Sequence, residues 1–220
     1  YAEENGIAVR NTPRASSNTV AELALAHMLS VARYISAAGY TMRTGKWEKK
    51  AYKGIELSGR TLGVIGYGRI GQALGQKAQA LGMKVLAYDI FKVEGLECET
   101  MQYVAMDELL AKSDFVSLHT PSIDGKPLIN EETIAKMKDG AVLINTSRGN
   151  NVDEAALLAA LKSGKLRGAG LDVFAEEPPK NEELLSFPTV SCTPHIGAQT
   201  AEAQKRVGAE IVDIIKGFKF

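Results

Sequence analysis

The sequence predicts an α/β protein built on a doubly wound parallel sheet, and three observations carry that prediction. Short β-branched runs alternate with amphipathic segments from residue 61 onward. A glycine-rich turn joins the first of these strands to its helix, and an acidic residue closes the strand that follows. Strands alternating with helices over this length form parallel sheets with right-handed crossovers.

Each element has its own local reason. Thr19 and Glu22 have the Thr-x-x-Glu spacing of a capping box. Val20, Leu23, Ala24, His27, Met28 and Val31 follow with the i, i+3, i+4 rhythm of one apolar helix face. That helix is expected to run to about Arg43, with Gly45 and Trp47 opening a loop. Residues 61–66 read as a buried strand, 70–81 as a helix ended by Gly82, and 84–88 as the next strand. A short helix is expected over 107–112 and a strand over 115–118. Asn130 is placed to cap a helix over 131–137, ahead of a strand over 141–145. Asp153 caps a helix that runs to Lys162 and stops at Gly164. Strands over 166–171 and 189–192 and an amphipathic helix over 201–216 complete the pattern. No internal repeat or low-complexity segment interrupts it.

Composition narrows the class of protein. The 220 residues carry 26 basic and 26 acidic side chains, a formal net charge of zero. Such a balance gives no electrostatic reason to expect nucleic acid or an anionic membrane as partner. The densest basic stretch, 46–53, holds Trp47 and Tyr52 and reads as a solvated loop rather than a phosphate patch. Cys98 and Cys192 are far apart and lack metal-ligand spacing, so two free thiols in a reducing cytoplasm and no metal site are expected. No run approaches a membrane span, and no signal-peptide pattern opens the chain.

The sharpest motif is Gly66-x-Gly68-x-x-Gly71, after an apolar strand and at the start of a helix. Gly66 permits the tight turn, Gly68 lets backbone approach a pyrophosphate, and Gly71 lets helix and strand pack closely. The helix N-terminus adds free N–H groups and a positive dipole end. Asp89 ends the second strand at about the offset needed to bind a ribose diol. A carboxylate there repels a 2′-phosphate, which favours NAD over NADP, although Lys92 lies nearby.

Three histidines are available. His27 lies on an apolar helix face and reads as a packed, hydrogen-bonded residue. His119 ends a strand at the ligand edge of the sheet and reads as orienting a loop. His195, in Thr-Pro-His-Ile-Gly-Ala after the last strand, is the better candidate for proton transfer. Arg148 follows a strand in Asn-Thr-Ser-Arg-Gly, and its planar fork suits a substrate carboxylate. Asp172, Glu176 and Glu177 lie just past another strand. Taken singly, Arg148 reads equally as a structural ion pair, and Glu176 or Glu177 as part of a solvated loop.

These strings together, with His-Thr-Pro at 119–121, Leu-Asp-Val-Phe-Ala-Glu-Glu-Pro at 171–178 and Leu-Ser-Gly-Arg-Thr-Leu-Gly leading into the glycine motif, resemble the D-2-hydroxyacid dehydrogenase family over essentially the whole chain. The resemblance implies a Rossmann-type NAD-binding domain and catalytic roles for Arg148, Glu177 and His195. It further implies cofactor contacts from Arg69, Ile70, Thr120, Thr146, Ser147, Arg148, Asp172, His195, Gly197 and Ala198, beside Gly66, Gly68, Gly71 and Asp89. One departure is Asn150, where the family usually has a second glycine; asparagine tolerates left-handed backbone, so little harm is expected. In such a site His195 exchanges the hydroxyl proton, Glu177 favours the imidazolium, and Arg148 holds the carboxylate and polarises the forming carbonyl.

The resemblance also implies a division of the chain. Residues 1–60 would be the remnant of a substrate-domain connection and a long interface helix, 61–198 the NAD-binding domain, and 199–220 a helix returning toward a second domain absent from this sequence. That helix near the N-terminus has no expected partner within the nucleotide fold and would build a homodimer. The chain is expected to bind NAD with little turnover of its own. D-3-phosphoglycerate, oxidised to 3-phosphohydroxypyruvate at the entry to serine biosynthesis, is the favoured substrate, followed by glyoxylate, hydroxypyruvate or D-lactate. An NAD-sensing corepressor is the alternative of another class.

Overall fold

The computed structural model describes residues 1–122 and 125–218, apart from the side chain of Glu3. Its centre is a seven-stranded sheet in the order β3-β2-β1-β4-β5-β6-β7, with every pairing parallel. The strands are β1 (Thr61–Ile65), β2 (Lys84–Tyr88), β3 (Met101–Tyr103), β4 (Phe115–Leu118), β5 (Ala141–Asn145), β6 (Leu166–Leu171) and β7 (Val190–Cys192). β4 and β5 are buried at every position, which favours apolar side chains on both faces and leaves Ser117 and Asn145 as their buried polar residues. The order reverses between β1 and β4, and open α/β sheets bind ligands at the carboxyl ends of strands beside such a switch point.

The helices are α1 (Ser17–Arg33), α2 (Ile35–Arg43), α3 (Arg69–Ala80), α4 (Met106–Lys112), α5 (Glu131–Lys136), α6 (Glu154–Ser163), α7 (Glu182–Leu185) and α8 (Ala201–Gly217). The two caps expected in the middle of the chain are present. Asn130 Oδ1 accepts the N–H groups of Glu132 and Thr133, and Asp153 Oδ1 those of Ala155 and Ala156. Gly164, at φ 76°, ends α6 in the left-handed conformation.

The N-terminal region departs from expectation in three ways. The first helix starts at Ser17 with Ser16 as its N-cap, and no side chain caps it. Thr19 instead lies buried and accepts a hydrogen bond from Arg206 of α8 at 3.1 Å. The expected single helix breaks at Tyr34, which takes φ 57°. Its apolar face also has a partner inside the fold: α1 packs on α3, β5, β6 and β7. Ala21, Ala24, Met28 and Ala32 are fully buried there, and a buried side chain of Met28's size contributes roughly 1.5–3 kcal/mol. α1 is therefore a sheet-covering helix of the doubly wound fold, and the expectation of a helix without intramolecular partner is corrected. α2 buries none of its residues and exposes Ile35, Tyr40 and Met42.

β3 and α7 have no counterpart in the sequence reading. Each is three or four residues long, too short for a period to show, and each is held by its neighbours: β3 by pairing with β2, α7 by Leu184 entering the core. Two apolar layers flank the sheet. One, under α4–α6, centres on Leu109, Leu118, Leu143 and Leu157; the other, under α1 and α3, on Met28, Leu62, Leu74 and Phe115.

Candidate active site

The turn after β1 is built for close approach. Gly66 sits at φ 89°, and a Cβ there would lie 2.6 Å from the His119 carbonyl oxygen. A Cβ on Gly71 would lie 2.3 Å from the Gly66 carbonyl oxygen, so α3 can start against the strand only without one. Gly68 is the N-cap of α3 and faces open space. Arg69 and Ile70 begin the helix beside it, leaving its first N–H groups and positive dipole end directed at that space. Asp89, at the end of β2, accepts the Tyr67 N–H at 2.6 Å and the Phe91 N–H at 3.0 Å. Lys92, the cation nearest in sequence, is directed instead at the Tyr103 ring, 5.7 Å from its centroid.

Beyond the turn, loops from four strands enclose a cleft of about 490 Å³. Its walls bring together Ile70, Thr120, Thr146, Ser147, Arg148, Asp172, His195, Gly197 and Ala198, with His119 among them. Gly66, Gly68, Arg69, Gly71 and Asp89 lie at the glycine turn rather than in these walls, and Glu177 stands behind His195.

The loop after β5 is shaped by residues that sequence reasoning missed. Asn145 Oδ1 accepts both the N–H and the hydroxyl of Ser147, while its Nδ2 donates to the Arg148 carbonyl. Asn151 Nδ2 lies within hydrogen-bonding distance of the Thr120 and Pro121 carbonyls and the Thr120 and Ser147 hydroxyls, which staples the β4 and β5 loops together. Gly149 rests against the β6 loop so tightly that a Cβ would lie 1.8 Å from the Phe174 carbonyl oxygen. The one visible signal was the Asn-Thr-Ser-Arg-Gly string; what each member touches depends on other strands. Asn150 lies in a 3₁₀ turn (Gly149–Asn151), and among the described residues the non-glycine ones with positive φ are Tyr34 and His195. The reasoning about left-handed backbone at Asn150 is therefore corrected: the position does not need it.

The loop after β7 is organised by Asp172, which is 1% exposed. Its Oδ1 accepts the Thr193 hydroxyl at 2.6 Å and the Ile196 N–H at 2.9 Å, and its Oδ2 accepts the Gly197 N–H at 2.8 Å. Its carbonyl accepts the His195 N–H at 2.9 Å. Between these anchors His195 takes φ 53°, an uncommon conformation for a residue with a Cβ. Its Nδ1 lies 2.8 Å from Glu177 Oε2. The bond from His195 holds the Glu177 carboxyl below its ordinary range, assisted by the Phe174 N–H and by the charges of His195 and Arg148. Nε2 is thereby the ring nitrogen not engaged by Glu177. Glu176 pairs with Lys180 on the surface, which separates the two carboxylates by role. Arg148 is exposed, and its Nη1 donates to the Ser147 carbonyl at 2.6 Å.

The remaining histidines behave as packed residues. His27 is 2% exposed, between the Ser191 and Thr193 hydroxyls. His119 Nε2 meets the Ser117 hydroxyl at 2.9 Å, and burial pushes its pKa down to about 4, so the ring is neutral. Its Nδ1 and the Thr146 hydroxyl are buried without a partner, and both residues line the cleft. Orphaned polar atoms of this kind call for a partner. Together with the open N-terminus of α3 and the Asp89 carboxylate, they fit a dinucleotide lying across the switch point. Among the described residues no group of His, Cys, Asp or Glu could hold a metal, no helix is long and apolar enough to cross a membrane, and Cys98 and Cys192 are free thiols.

A parallel sheet of this order, with a glycine turn at its switch point and an acidic residue on β2, defines a dinucleotide-binding α/β domain. Residues 25–197 match the family described as D-isomer specific 2-hydroxyacid dehydrogenase, NAD binding domain. The chain belongs to that family and is its NAD-binding, Rossmann-like domain. It is 53% identical over 218 residues to hydroxypyruvate reductase of Thermotoga maritima, covering 97% of this chain and 71% of that protein. It is 47% identical over 219 residues to D-3-phosphoglycerate dehydrogenase of Methanocaldococcus jannaschii, covering 98% of this chain but 42% of that protein. Among solved structures, a glyoxylate reductase from Paecilomyes thermophila superposes with a TM-score of 0.92 at 38% identity, over 98% of this chain and 66% of that one. A D-lactate dehydrogenase from Aquifex aeolicus, complexed with NAD and lactic acid, gives 0.88 at 36% identity, over 99% and 71%. The chain thus spans between two fifths and three quarters of these relatives.

Proposed function

We propose that this chain supplies the cofactor half and the proton-transfer pair of an enzyme that interconverts D-2-hydroxy acids and 2-oxo acids. The observation that carries the reading is the 2.8 Å contact between His195 Nδ1 and Glu177, at the rim of the cleft that Arg148 also lines. NAD, when bound, supplies the hydride acceptor; the protein supplies position and electrostatics. Gly66, Gly68, Arg69, Ile70 and Gly71 would hold the pyrophosphate, and Asp89 the adenosine ribose, after exchanging its bonds to the Tyr67 and Phe91 N–H groups. Thr120, Thr146, Ser147, Arg148, Asp172, His195, Gly197 and Ala198 would surround the nicotinamide end. His195 takes the substrate hydroxyl proton at Nε2, and Glu177 stabilises the charge that then forms on the ring. The Arg148 guanidinium swings from the Ser147 carbonyl to the substrate carboxylate and polarises the 2-oxygen.

D-3-phosphoglycerate is the first substrate to test, and hydroxypyruvate the second, the latter favoured by the 53% identity to the Thermotoga hydroxypyruvate reductase. The rest of the substrate site belongs to a second domain toward which α8 would lead. The division at 1–60, 61–198 and 199–220 is part of this proposal, with α1 assigned to the nucleotide-binding body by its packing. Homodimer assembly is supported by the apolar face of α2, and a cytoplasmic setting by two unpaired thiols. The test is NADH formation or consumption by the natural full-length protein with each acid, beside Arg148→Ala. Activity with one acid that falls by more than about 100-fold in the variant supports the reading. Activity retained in Arg148→Ala overturns the role of Arg148, and no turnover with any 2-hydroxy or 2-oxo acid overturns the function.

A further inference from the structure

The hydrogen bonds around Asp172 do not end in the cleft. The Thr193 hydroxyl donates its one proton to Asp172, so it can only accept from His27, 2.9 Å away. His27 Nε2 must therefore carry the ring proton. Burial lowers the His27 pKa, and the neutral ring leaves Nδ1 as an acceptor for the Ser191 hydroxyl at 3.0 Å. With that proton committed, Ser191 accepts from Ser36 at 3.2 Å, and Ser36 from Ser30 at 2.8 Å. Ser30 and Ser36 flank Tyr34, the left-handed break between α1 and α2. Every donor in this chain of bonds points the same way, from the elbow of α1 and α2 toward Asp172. The packing makes room for it: a Cβ on Gly170 would lie 2.5 Å from the His27 Cβ.

We propose that His27 is a positioning residue for the reaction: with the Thr193 proton given to Asp172, the His27 Nε2–H donates to the Thr193 oxygen and fixes it from the side opposite the carboxylate. Thr193 is fixed by that geometry two residues before His195. The oxygen that receives its proton also anchors the Ile196 N–H, so the left-handed turn at His195 is clamped from both sides. An apolar residue at 27 would fill the space but leave the Thr193 oxygen without its donor, a buried acceptor held by its bond to Asp172 alone. The consequence falls on the orientation of His195, with the phosphate turn untouched, because α3 and Gly66–Gly71 share no bond with the relay. The inference rests on the catalytic reading of His195 given above.

The experiment compares His27→Leu, His27→Gln and His27→Asn in the natural full-length protein. The Gln Nε2 can stand where the His27 Nε2 donates, whereas the Asn amide reaches only the Ser191 side. NADH affinity, kcat and KM are measured with the turnover substrate, and the His195 ring resonance is followed by NMR, assigned by its loss in His195→Gln. His27→Leu is expected to lower kcat by about tenfold or more and to shift or broaden the His195 signal, with NADH affinity within about threefold of the parent. Gln is expected to restore both readouts and Asn neither. Unchanged kcat and His195 signal in Leu, or Asn and Gln behaving alike, overturns the proposal. Should His27→Leu not fold, Thr193→Val breaks the relay one step nearer Asp172, and an unperturbed His195 signal there overturns it equally. Absence of turnover in the parent protein would sink the functional reading alone, since the His195 signal still tests the relay.

Discussion

Replacing Asp172 by Asn keeps the size and shape of the side chain and removes its charge, at a position that is 1% exposed. The carboxylate accepts three bonds, from the Thr193 hydroxyl and the Ile196 N–H on one oxygen and the Gly197 N–H on the other. The amide has one oxygen and cannot accept at its nitrogen. Its better orientation keeps oxygen toward Thr193 and Ile196 and turns NH₂ against the Gly197 N–H, two donors 2.8 Å apart. One buried donor is then unsatisfied, at about 1–3 kcal/mol, and the two surviving bonds fall from charge-assisted to neutral strength, at about 1 kcal/mol each. The sum is roughly 3–5 kcal/mol, bounded above by the cost of releasing residues 193–199 instead. At about 2–4 °C per kcal/mol for a domain of this size, Tm is expected to fall by roughly 6–20 °C, or less with selective loss of order in that loop. Thermal unfolding followed by circular dichroism, with hydrogen exchange of the Ile196 and Gly197 amides, reads both outcomes. A Tm within about 2 °C of the parent, with both amides still protected, would refute the account of Asp172 as the anchor of the His195 turn.

Gly149→Ala places a Cβ 1.8 Å from the Phe174 carbonyl oxygen, so the β5 and β6 loops must separate. A loss of roughly 2–4 kcal/mol in urea unfolding is expected, with turnover reduced further than NADH binding. Glu177→Gln keeps an acceptor for His195 and removes the charge; kcat is expected to fall roughly 10–100-fold in steady-state assays, with NADH affinity unchanged. Because the bond to His195 depresses the Glu177 pKa, the parent pair contributes its stabilisation above pH 4.5 and loses it as pH falls below that value. For His119 the folded pKa of about 4 lies below the ordinary histidine value of 6.5, so the unfolded chain binds the extra proton between them. Stability is full above pH 6.5 and declines as pH falls toward 4. His119→Asn is expected to remove about 2–3 kcal/mol of the difference in unfolding free energy between pH 7.5 and 4.5, measured by urea titration at both pH values.

The repeating patterns of this chain determined its architecture. A run such as 141–144 is apolar because β5 is covered on both faces, and glycine at 66 and 71 follows from backbone approaches that allow no Cβ. Asn130 and Asp153 were legible as caps because a cap is a local event, completed within three residues. Arg148 and His195 could be singled out because each falls just past a strand, where a parallel sheet gathers its loops; the choice of Glu177 over Glu176 came from the family resemblance. Tertiary structure decided whatever depended on a partner distant in sequence. Thr19 has the spacing of a capping residue yet bonds Arg206, and the first apolar helix face lies on β5 and β6 of its own chain. The short strand β3 exists through pairing with β2, beyond the reach of a two-residue period. Asp172 could be placed near a ligand by motif; its actual work, gathering Thr193, His195, Ile196 and Gly197 around one buried carboxylate, appears only once β6 and β7 lie side by side. His27 shows the same division. An apolar helical face marks it as buried, but the direction of its proton is set by an acceptor two bonds away on another strand.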